Sequence, residues 1–394
     1  MPRFVRVLLI VLAVFLAFLS GVYLGGHSYR LSPLFEIMPQ SVRSAFFPGD
    51  NVLQAEREIE NILEEKFYRP VDPSTLENGA VNGMVSSLGD PYSAYFSPDD
   101  YKQFMEHTEG TFVGVGVIIE PRDSVLTVVS PIDNSPAKKA GIQAGDEIIA
   151  VDGQSIQGKT PEEATALIRG EAGTSVTLRI SRAGQEQDYT MVRESIELPI
   201  VSDKMIDHNG KKIGYVRLEQ FSVDAGAKVK DSMDKLVNNG AQGIILDLRN
   251  NGGGLLDEAV NVASVFIQNG TIVTVQSRDQ ATQTYEARGD ANESIPLVVL
   301  VNGYTASASE IVAGAIKDDH RGKLIGEKTF GKGVVQNIDP LSNGGALKFT
   351  SGSYHTPAGT DINKVGIEPD IPVTVDPNSP SDQVLDRGLA ELAH

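Results

Sequence analysis

Two residues in the C-terminal half of the chain could together perform hydrolytic chemistry. Ser307 lies in a small-residue turn between an apolar segment at 298–301, which predicts a buried strand, and a helical pattern at 311–316. Lys332 follows later in the chain, between two glycines. A serine hydroxyl is a poor nucleophile until a base removes its proton, and a lysine can be that base if desolvation lowers its pKa from about 10.4. The pairing predicts a hydrolase that uses no histidine as its base.

Neither residue is conclusive when it is taken alone. Ser307 and Glu310 have the spacing of a capping box, in which a serine hydroxyl satisfies N–H groups at the start of a helix. The capping and nucleophilic roles share one geometry, because the start of a helix favours negative charge. Ser309 is a neighbouring alternative, and most lysines are solvated surface charges. The combination of serine and lysine therefore carries the prediction.

A hydrolase of this kind also needs N–H donors for the oxyanion of its tetrahedral intermediate. The N–H of Ala308, directly after Ser307, is one natural donor. A glycine-rich loop at 252–254 is the candidate source of the second donor, although three glycines also suit an ordinary tight turn. We expect Asp247 and Arg249 to hold this loop rather than to touch substrate.

Strands and helices alternate around both loops. Such alternation predicts an α/β domain with parallel strands and with catalytic loops at their C-terminal ends. The predicted elements are strands at 213–221, 243–248, 271–276 and 297–301, and helices at 225–237, 255–267 and 311–316.

The region at 110–195 resembles a PDZ domain. It contains a run of the form A-x-x-A-G-I-x-x-G-D-x-I-x-x-V-x-G, preceded by a strand predicted at 113–119. PDZ domains bind a C-terminal carboxylate on backbone N–H groups beside an apolar strand. The resemblance places that site at Val113, Gly114, Val115, Gly116 and Val117, where glycine permits close approach of a ligand or, alternatively, a bulge.

The motifs at 247–254, 305–311 and 329–336 resemble those of the C-terminal processing (tail-specific) serine proteases, peptidase family S41. The resemblance covers nearly the whole chain and implies a crotonase/ClpP-like α/β protease core with no cofactor and no metal. It implies Ser307 as nucleophile, in preference to Ser309, and Lys332 as general base, with Gln336 positioning the lysine. It also implies Gly253 and Ala308 as oxyanion donors, and protein substrates with apolar C-terminal tails.

The N-terminal sequence predicts the location of the protein. Arg3 and Arg6 precede an apolar run at 7–24, near the lower length limit for a membrane span. Basic residues ahead of the run place the N-terminus in the cytoplasm. We expect an uncleaved transmembrane anchor in the cytoplasmic membrane, with the catalytic domains on the periplasmic or cell-wall side. A cleaved signal peptide, which would give a secreted protein, is the alternative.

Composition narrows the chemistry and the partners further. The net charge of −18 argues against nucleic acid as a partner. The absence of cysteine excludes thiol catalysis, zinc–thiolate sites and disulfides. Amphipathic helices predicted at 51–68 and 76–88, with a third starting at Ser97, are candidates for a homodimer contact.

The predicted chain is multidomain. Its parts are an anchor at 1–26, a linker at 27–50, a helical N-terminal region at 51–109, the PDZ domain at 110–195, with a barrel-like sheet and two helices, and the α/β protease core at 196–394. The PDZ domain could gate the core or only tether substrates, and Arg169 is a candidate link between the two, or an ordinary helix-capping cation.

Three other functions fit the sequence less well. A trypsin-like protease would need its histidine and G-x-S-G motif ahead of the PDZ region, where only helices are predicted. A crotonase-like acyl-CoA enzyme has no use for a carboxylate-binding module. A catalytically silent, membrane-anchored PDZ scaffold is the non-enzymatic alternative.

Overall fold

The computed structural model describes residues 50–122, 125–278, 280–376 and 378–393. The chain forms two compact units, divided between Met84 and Val85. The predicted anchor at 1–26 and the linker up to residue 49 lie outside the described residues. Within the described ranges, no helix is both long enough and apolar enough to cross a membrane.

Two helices start the described chain: α1 (Asp50–Lys66) and α2 (Pro73–Ser86). Both were predicted, but α2 begins three residues earlier than the apolar pattern suggested. Asp72 explains the difference, because its carboxylate accepts from the Ser74 N–H (3.0 Å) and Pro73 suits the first helical position.

The second unit opens with a short strand and a capped helix, β1 (Ala94–Phe96) and α3 (Pro98–Glu109). The Ser97 hydroxyl accepts from the Asp100 N–H, and Gly110 ends the helix in the left-handed conformation (φ 68°). The predicted helix start at Ser97 is confirmed. α3 leads directly into the next domain.

That domain is the predicted PDZ domain. Its main antiparallel sheet runs β3–β4–β5–β7–β8 with β6 beside β5, while β2 pairs separately with β9. Buried residues such as Ile148, Val176 and Leu178 form its core with Ala137 of the first helix. The elements are β2 (Thr111–Gly114), β3 (Val117–Arg122), β4 (Val125–Pro131), α4 (Pro136–Ala140), β5 (Glu147–Val151), β6 (Gln154–Ser155), α5 (Pro161–Ile168), β7 (Ser175–Arg182), β8 (Gln185–Val192) and β9 (Glu194–Glu197).

The continuous strand predicted at 113–119 is wrong. β2 ends at Gly114 and β3 begins at Val117, so Val115 and Gly116 form a loop. Gly116 has φ 77°, which an L-residue adopts with strain, and its carbonyl accepts from the Ser135 hydroxyl (3.1 Å). An apolar run does not reveal this break, because only a backbone angle at one glycine causes it.

A six-stranded sheet forms the centre of the α/β core. Its order is β10–β11–β12–β15–β16–β19; β10 is antiparallel to β11 and the remaining pairs are parallel. Helices α6, α7 and α8 contribute to the hydrophobic cluster on one face, with Leu246 and Val299, whereas α9 packs with Ile245 and Leu300 on the other. The elements are β10 (Val201–His208), β11 (Lys211–Leu218), α6 (Ala225–Asn238), β12 (Gly243–Asp247), α7 (Leu256–Ser264), β13 (Thr271–Ser277), β14 (Gln283–Glu286), β15 (Leu297–Val301), α8 (Ala308–Asp318), β16 (Lys323–Gly326), β17 (Val334–Pro340), β18 (Ala346–His355), β19 (Ile371–Pro372) and α9 (Gln383–Ala393).

A second, antiparallel sheet runs β1–β18–β13–β14, with β17 also paired to β18. The alternation of strands and helices predicted that β13 would join the parallel sheet, and this prediction is wrong. β13 pairs with the distant β18 (Thr274 opposite His355), and such long-range pairing has no local sequence signal. In this sheet β18 lies between β1 and β17, the strand that follows Lys332, so that Lys348 pairs with Ala94 on one side and with Ile338 on the other.

Candidate active site

Ser307 lies at the sharp connection between β15 and α8. Its φ of 57° and ψ of −118° are unusual for a non-glycine residue, and such strain costs about 1–3 kcal/mol and clusters at functional sites. Its N–H donates to a carboxylate oxygen of Glu310 (2.9 Å). Ser307 lines a cavity of about 550 Å³, so the predicted nucleophile borders a space that can receive substrate.

Ser309 is placed differently. Its side chain is fully buried, and its hydroxyl donates to the backbone carbonyl of Asn251 (3.0 Å). The geometry therefore favours Ser307 over Ser309.

Lys332 lines the same cavity as Ser307. Its Nζ lies 4.9 Å from the centroid of the Tyr92 ring and makes no hydrogen bond or ion pair to any residue that the structure describes. Burial lowers the pKa of Lys332, and the positive charge of Lys348 lowers it further, against the opposing charges of Asp90 and Glu310. These influences favour the neutral amine, which is the form that can accept a proton.

One buried carboxylate joins the serine and lysine loops. Glu310 Oε2 accepts from the N–H groups of Ser307 and Lys332, both at 2.9 Å. Its Oε1 accepts from the Thr329 hydroxyl (2.6 Å) and the Gly331 N–H (2.7 Å). The sequence suggested only a capping role for Glu310, whereas the structure makes it the common acceptor of both loops.

The predicted oxyanion donors lie beside the nucleophile. The Ala308 N–H is among the first of α8, which have no acceptor within the helix. Gly253 approaches so closely that a Cβ there would be 2.8 Å from the Ser307 Cβ. The Gly253 N–H, however, donates to Asn251 Oδ1 (2.9 Å), so this amide oxygen competes with an oxyanion for that donor.

Asp247 and Arg249 bond each other at the start of the loop that carries Gly253. The Arg249 guanidinium contacts the buried Asp247 carboxylate (2.6 Å) and Asp382 of α9 (2.7 Å). Burial by itself lowers the pKa of Arg249, but the two carboxylates outweigh it and raise the pKa above its ordinary value. The Tyr215 hydroxyl donates a hydrogen bond to the Asp247 carboxylate (2.7 Å). Burial, together with the negative charge of Asp247, raises the pKa of Tyr215 to about 12.

Gln336 lines the cavity, and its amide bonds to the backbone rather than to the lysine amine. Its amide nitrogen donates to the carbonyl of Val334 (3.2 Å), and within the described residues no hydrogen bond joins Gln336 to Lys332. Tyr354 does contact the lysine loop, because its hydroxyl donates to the Lys332 carbonyl. Burial raises the pKa of Tyr354 well above 10, so this donor keeps its proton.

The cavity walls are largely apolar. Apolar side chains from α3, α8, β17 and two loops contribute: Phe104, Phe221, Leu255, Ile311, Val335 and Ile338. His107 of α3 also lines the cavity, and no sequence motif marked it as a site residue. Its Nδ1 lies 2.9 Å from Gln220 Nε2, so it links α3 to the end of β11.

A second cavity, of about 350 Å³, lies between β3 and α5 of the PDZ domain. Four of the five predicted peptide-binding residues line it: Gly114, Val115, Gly116 and Val117. Val113 instead pairs with Ser195 in β9.

Arg169 follows α5 and also lines this second cavity. It lies 3.9 Å from Glu106 of α3 and 5.9 Å from the Phe112 ring centroid. α3 in turn contributes residues to both cavities. The predicted link from Arg169 therefore reaches α3.

The fold and the site define a serine hydrolase whose α/β core is joined to a PDZ domain. Comparison with known families agrees with this class. The sequence matches Peptidase family S41 over residues 212–373, a PDZ domain over 127–182 and the activating protease CtpB N-terminal domain over 49–100.

Relatives identify the family. A carboxy-terminal-processing protease of Bartonella bacilliformis is 43% identical over 323 residues, which cover 80% of this chain and 73% of that protein. A carboxyl-terminal-processing protease of Picosynechococcus sp. is 40% identical over 80% of this chain and 78% of that protein. The solved structure of a photosystem II D1 C-terminal processing protease is 31% identical, with a TM-score of 0.50 over 87% of this chain and 96% of that one. The chain belongs to peptidase family S41 and is a serine-type protease.

Proposed function

We propose that this protease cleaves peptide bonds with a dyad of Ser307 and Lys332. The observation that carries the proposal is their position in one cavity, where the Lys332 amine is unpaired among the described residues and its pKa is lowered by burial. Glu310 holds the backbone of both residues in a fixed relation.

The proposed reaction begins when neutral Lys332 takes the proton of the Ser307 hydroxyl as its oxygen attacks the peptide carbonyl. The Ala308 N–H donates to the oxyanion. The Gly253 N–H becomes a second donor when its hydrogen bond to Asn251 Oδ1 breaks. Collapse breaks the C–N bond, and the lysine returns its proton to the leaving amine. Water, deprotonated by the same lysine, then attacks the acyl carbon; the bond to the Ser307 oxygen breaks, and the lysine returns the proton to that oxygen as the acid product leaves.

The dyad is tested with Ser307→Ala, Lys332→Ala and Ser309→Ala. We expect the first two variants to lose proteolysis while keeping their circular dichroism spectra, and Ser309→Ala to keep measurable activity. Full activity in Lys332→Ala would reject the dyad. Gln336→Ala should reduce the rate less, because Gln336 bonds Val334 rather than the base.

We further propose that the PDZ cavity captures apolar C-terminal tails of protein substrates. Support comes from the left-handed backbone at Gly116 and from the apolar wall formed by Val117, Ile119 and Ile168. A peptide ending in an apolar residue should bind the free protein, and the same peptide with an amidated C-terminus should not. Equal binding of the two peptides would contradict carboxylate capture.

Anchoring by residues 1–26, with the protease domains outside the cytoplasm, remains a proposal based on Arg3, Arg6 and the apolar run after them. Intact-mass measurement of the membrane fraction tests it, since a mature chain that starts beyond Gly21 would contradict an uncleaved anchor.

A homodimer through the N-terminal helices is proposed from the exposure of Ile59 (58%) and Phe67 (42%). Light scattering of Ile59→Glu against the parent protein tests it.

A further inference from the structure

The active-site cavity contains a second lysine. Lys348 lies on β18, opposite Ala94 of β1 on one side and Ile338 of β17 on the other. It lines the same cavity as Lys332. Pairing on both sides holds the backbone at Lys348 in place, so its side chain starts from a defined position at the cavity wall.

Aromatic rings support the Lys348 ammonium group. Its Nζ lies 5.3 Å from the centroid of Phe96 and 5.8 Å from that of Phe104, and the two rings stack with centroids 4.9 Å apart. Ring faces attract a cation at these distances. Across the part of the chain that the structure describes, Lys348 has no ion pair and no side-chain hydrogen bond, so no carboxylate neutralises its charge.

The acidic groups near Lys332 are bonded to other partners. Asp90 accepts from the hydroxyls of Ser93 (2.5 Å) and Thr350 (2.7 Å). Glu310 accepts from the four donors of the serine and lysine loops described above. The described groups that face Lys332 are thus Asp90 and Tyr92 ahead of β1, Glu310 on α8, and Lys348 and Tyr354 on β18. Lys348 is the cation in this set.

We propose that Lys348 is a positioning residue for the reaction, whose charge beside the cavity favours the neutral form of Lys332, the form that can accept the Ser307 proton. This inference rests on the proposed dyad. Burial is the larger cause of the lowered Lys332 pKa, and repulsion by Lys348 adds to it. A like charge near a base is a recognised way to activate a lysine.

The test compares Lys348→Met, which keeps an apolar stem but removes the charge, with Lys348→Arg, which keeps the charge. For each, kcat/KM on a peptide substrate is measured from pH 6 to pH 10. We expect the ascending limb of the Lys348→Met profile to move to higher pH, with kcat/KM at pH 7 reduced roughly three- to tenfold and recovering at high pH. Lys348→Arg should follow the parent profile.

A second readout does not depend on turnover. In a Ser307→Ala background, the reaction of the Lys332 amine with acetic anhydride is followed by mass spectrometry against pH. Removal of the Lys348 charge should move the onset of Lys332 acetylation to higher pH. If Lys348→Met folds poorly, Lys348→Gln serves in both measurements.

The control is Lys328→Met. Lys328 is an exposed lysine on the connection between β16 and β17, which also carries Lys332, and it pairs with Glu368 (2.8 Å). Lys328→Met should leave the profile unchanged. A uniform loss at all pH values in Lys348→Met, or an unmoved limb and an unmoved acetylation onset, overturns the proposal. Activity in Lys332→Ala would instead overturn the dyad itself, so the two failures are distinguishable.

Discussion

Replacing Glu310 by glutamine is the most informative single perturbation of this site. The change keeps the size of the side chain but replaces one acceptor oxygen by an NH₂ group. In the parent protein, Oε1 and Oε2 each accept from two donors, which come from Ser307, Thr329, Gly331 and Lys332. In Glu310→Gln only one oxygen remains to accept hydrogen bonds, so two of these four donors lose their acceptor.

The expected loss follows from that count. A hydrogen bond to a charged group contributes about 1.5–3 kcal/mol, so two lost bonds amount to about 3–6 kcal/mol of unfolding free energy. The Thr329 hydroxyl can turn to accept from the new amide, which favours the lower end of this range. Activity should fall about 100-fold, because loosening the two loops displaces Ser307 relative to Lys332.

Two measurements on Glu310→Gln test this reasoning: the free energy of unfolding by urea, and kcat/KM on a peptide substrate. Glu327→Gln is the matched control, because Glu327 is exposed on the same connection and should change neither quantity. Parent-like stability and parent-like activity in Glu310→Gln would refute the view that this carboxylate holds the two loops together.

Three further outcomes are expected. Lys332→Met should be inactive yet more stable than the parent at neutral pH, because the lowered pKa of Lys332 means that its charged form opposes folding. This gain in unfolding free energy should vanish above the ordinary lysine pKa, and unfolding measured against pH would show it. Gly116→Ala should weaken tail-peptide binding at least about tenfold, since its Cβ would lie 2.3 Å from a neighbouring side chain, whereas Gly173→Ala, with a similar φ of 82° and open space, should bind normally in a titration. Arg249→Lys should lower kcat about tenfold with little change in KM, because one ammonium group cannot replace the contacts of a guanidinium with two carboxylates.

Local signals were sufficient to locate much of this architecture. The apolar runs at 243–248 and 297–301 predicted buried parallel strands, and the structure confirms them at Gly243–Asp247 and Leu297–Val301. The glycines around Lys332 and the turn at Ser307 marked the two loops because small residues permit their backbone geometry. Helix starts were predicted correctly where a capping residue such as Ser97 stands next to proline.

The remaining parts depend on contacts between distant segments. Tyr92 and Lys348 reach the active site because β1 pairs with β18, and nothing in either segment alone indicates that pairing. Glu310 looked like a capping residue because the donors from Gly331 and Lys332 arrive from another loop. The break at Gly116 depends on one backbone angle, which an apolar pattern cannot express.

Helix α3 has a consequence for how interchangeable the PDZ domain is. The helix precedes that domain in the chain, yet Gln103, Glu106 and His107 form part of the wall of the PDZ cavity. A domain exchange with its junction at Gly110 would therefore transplant an incomplete groove, whose missing wall would be supplied by the recipient. Because the same helix also borders the proteolytic cavity through Phe104 and Thr108, moving the junction ahead of α3 would transfer part of that cavity as well. Under the roles proposed for the two cavities, a chimera that carries α3 with the PDZ domain should inherit tail preference and cleavage preference together.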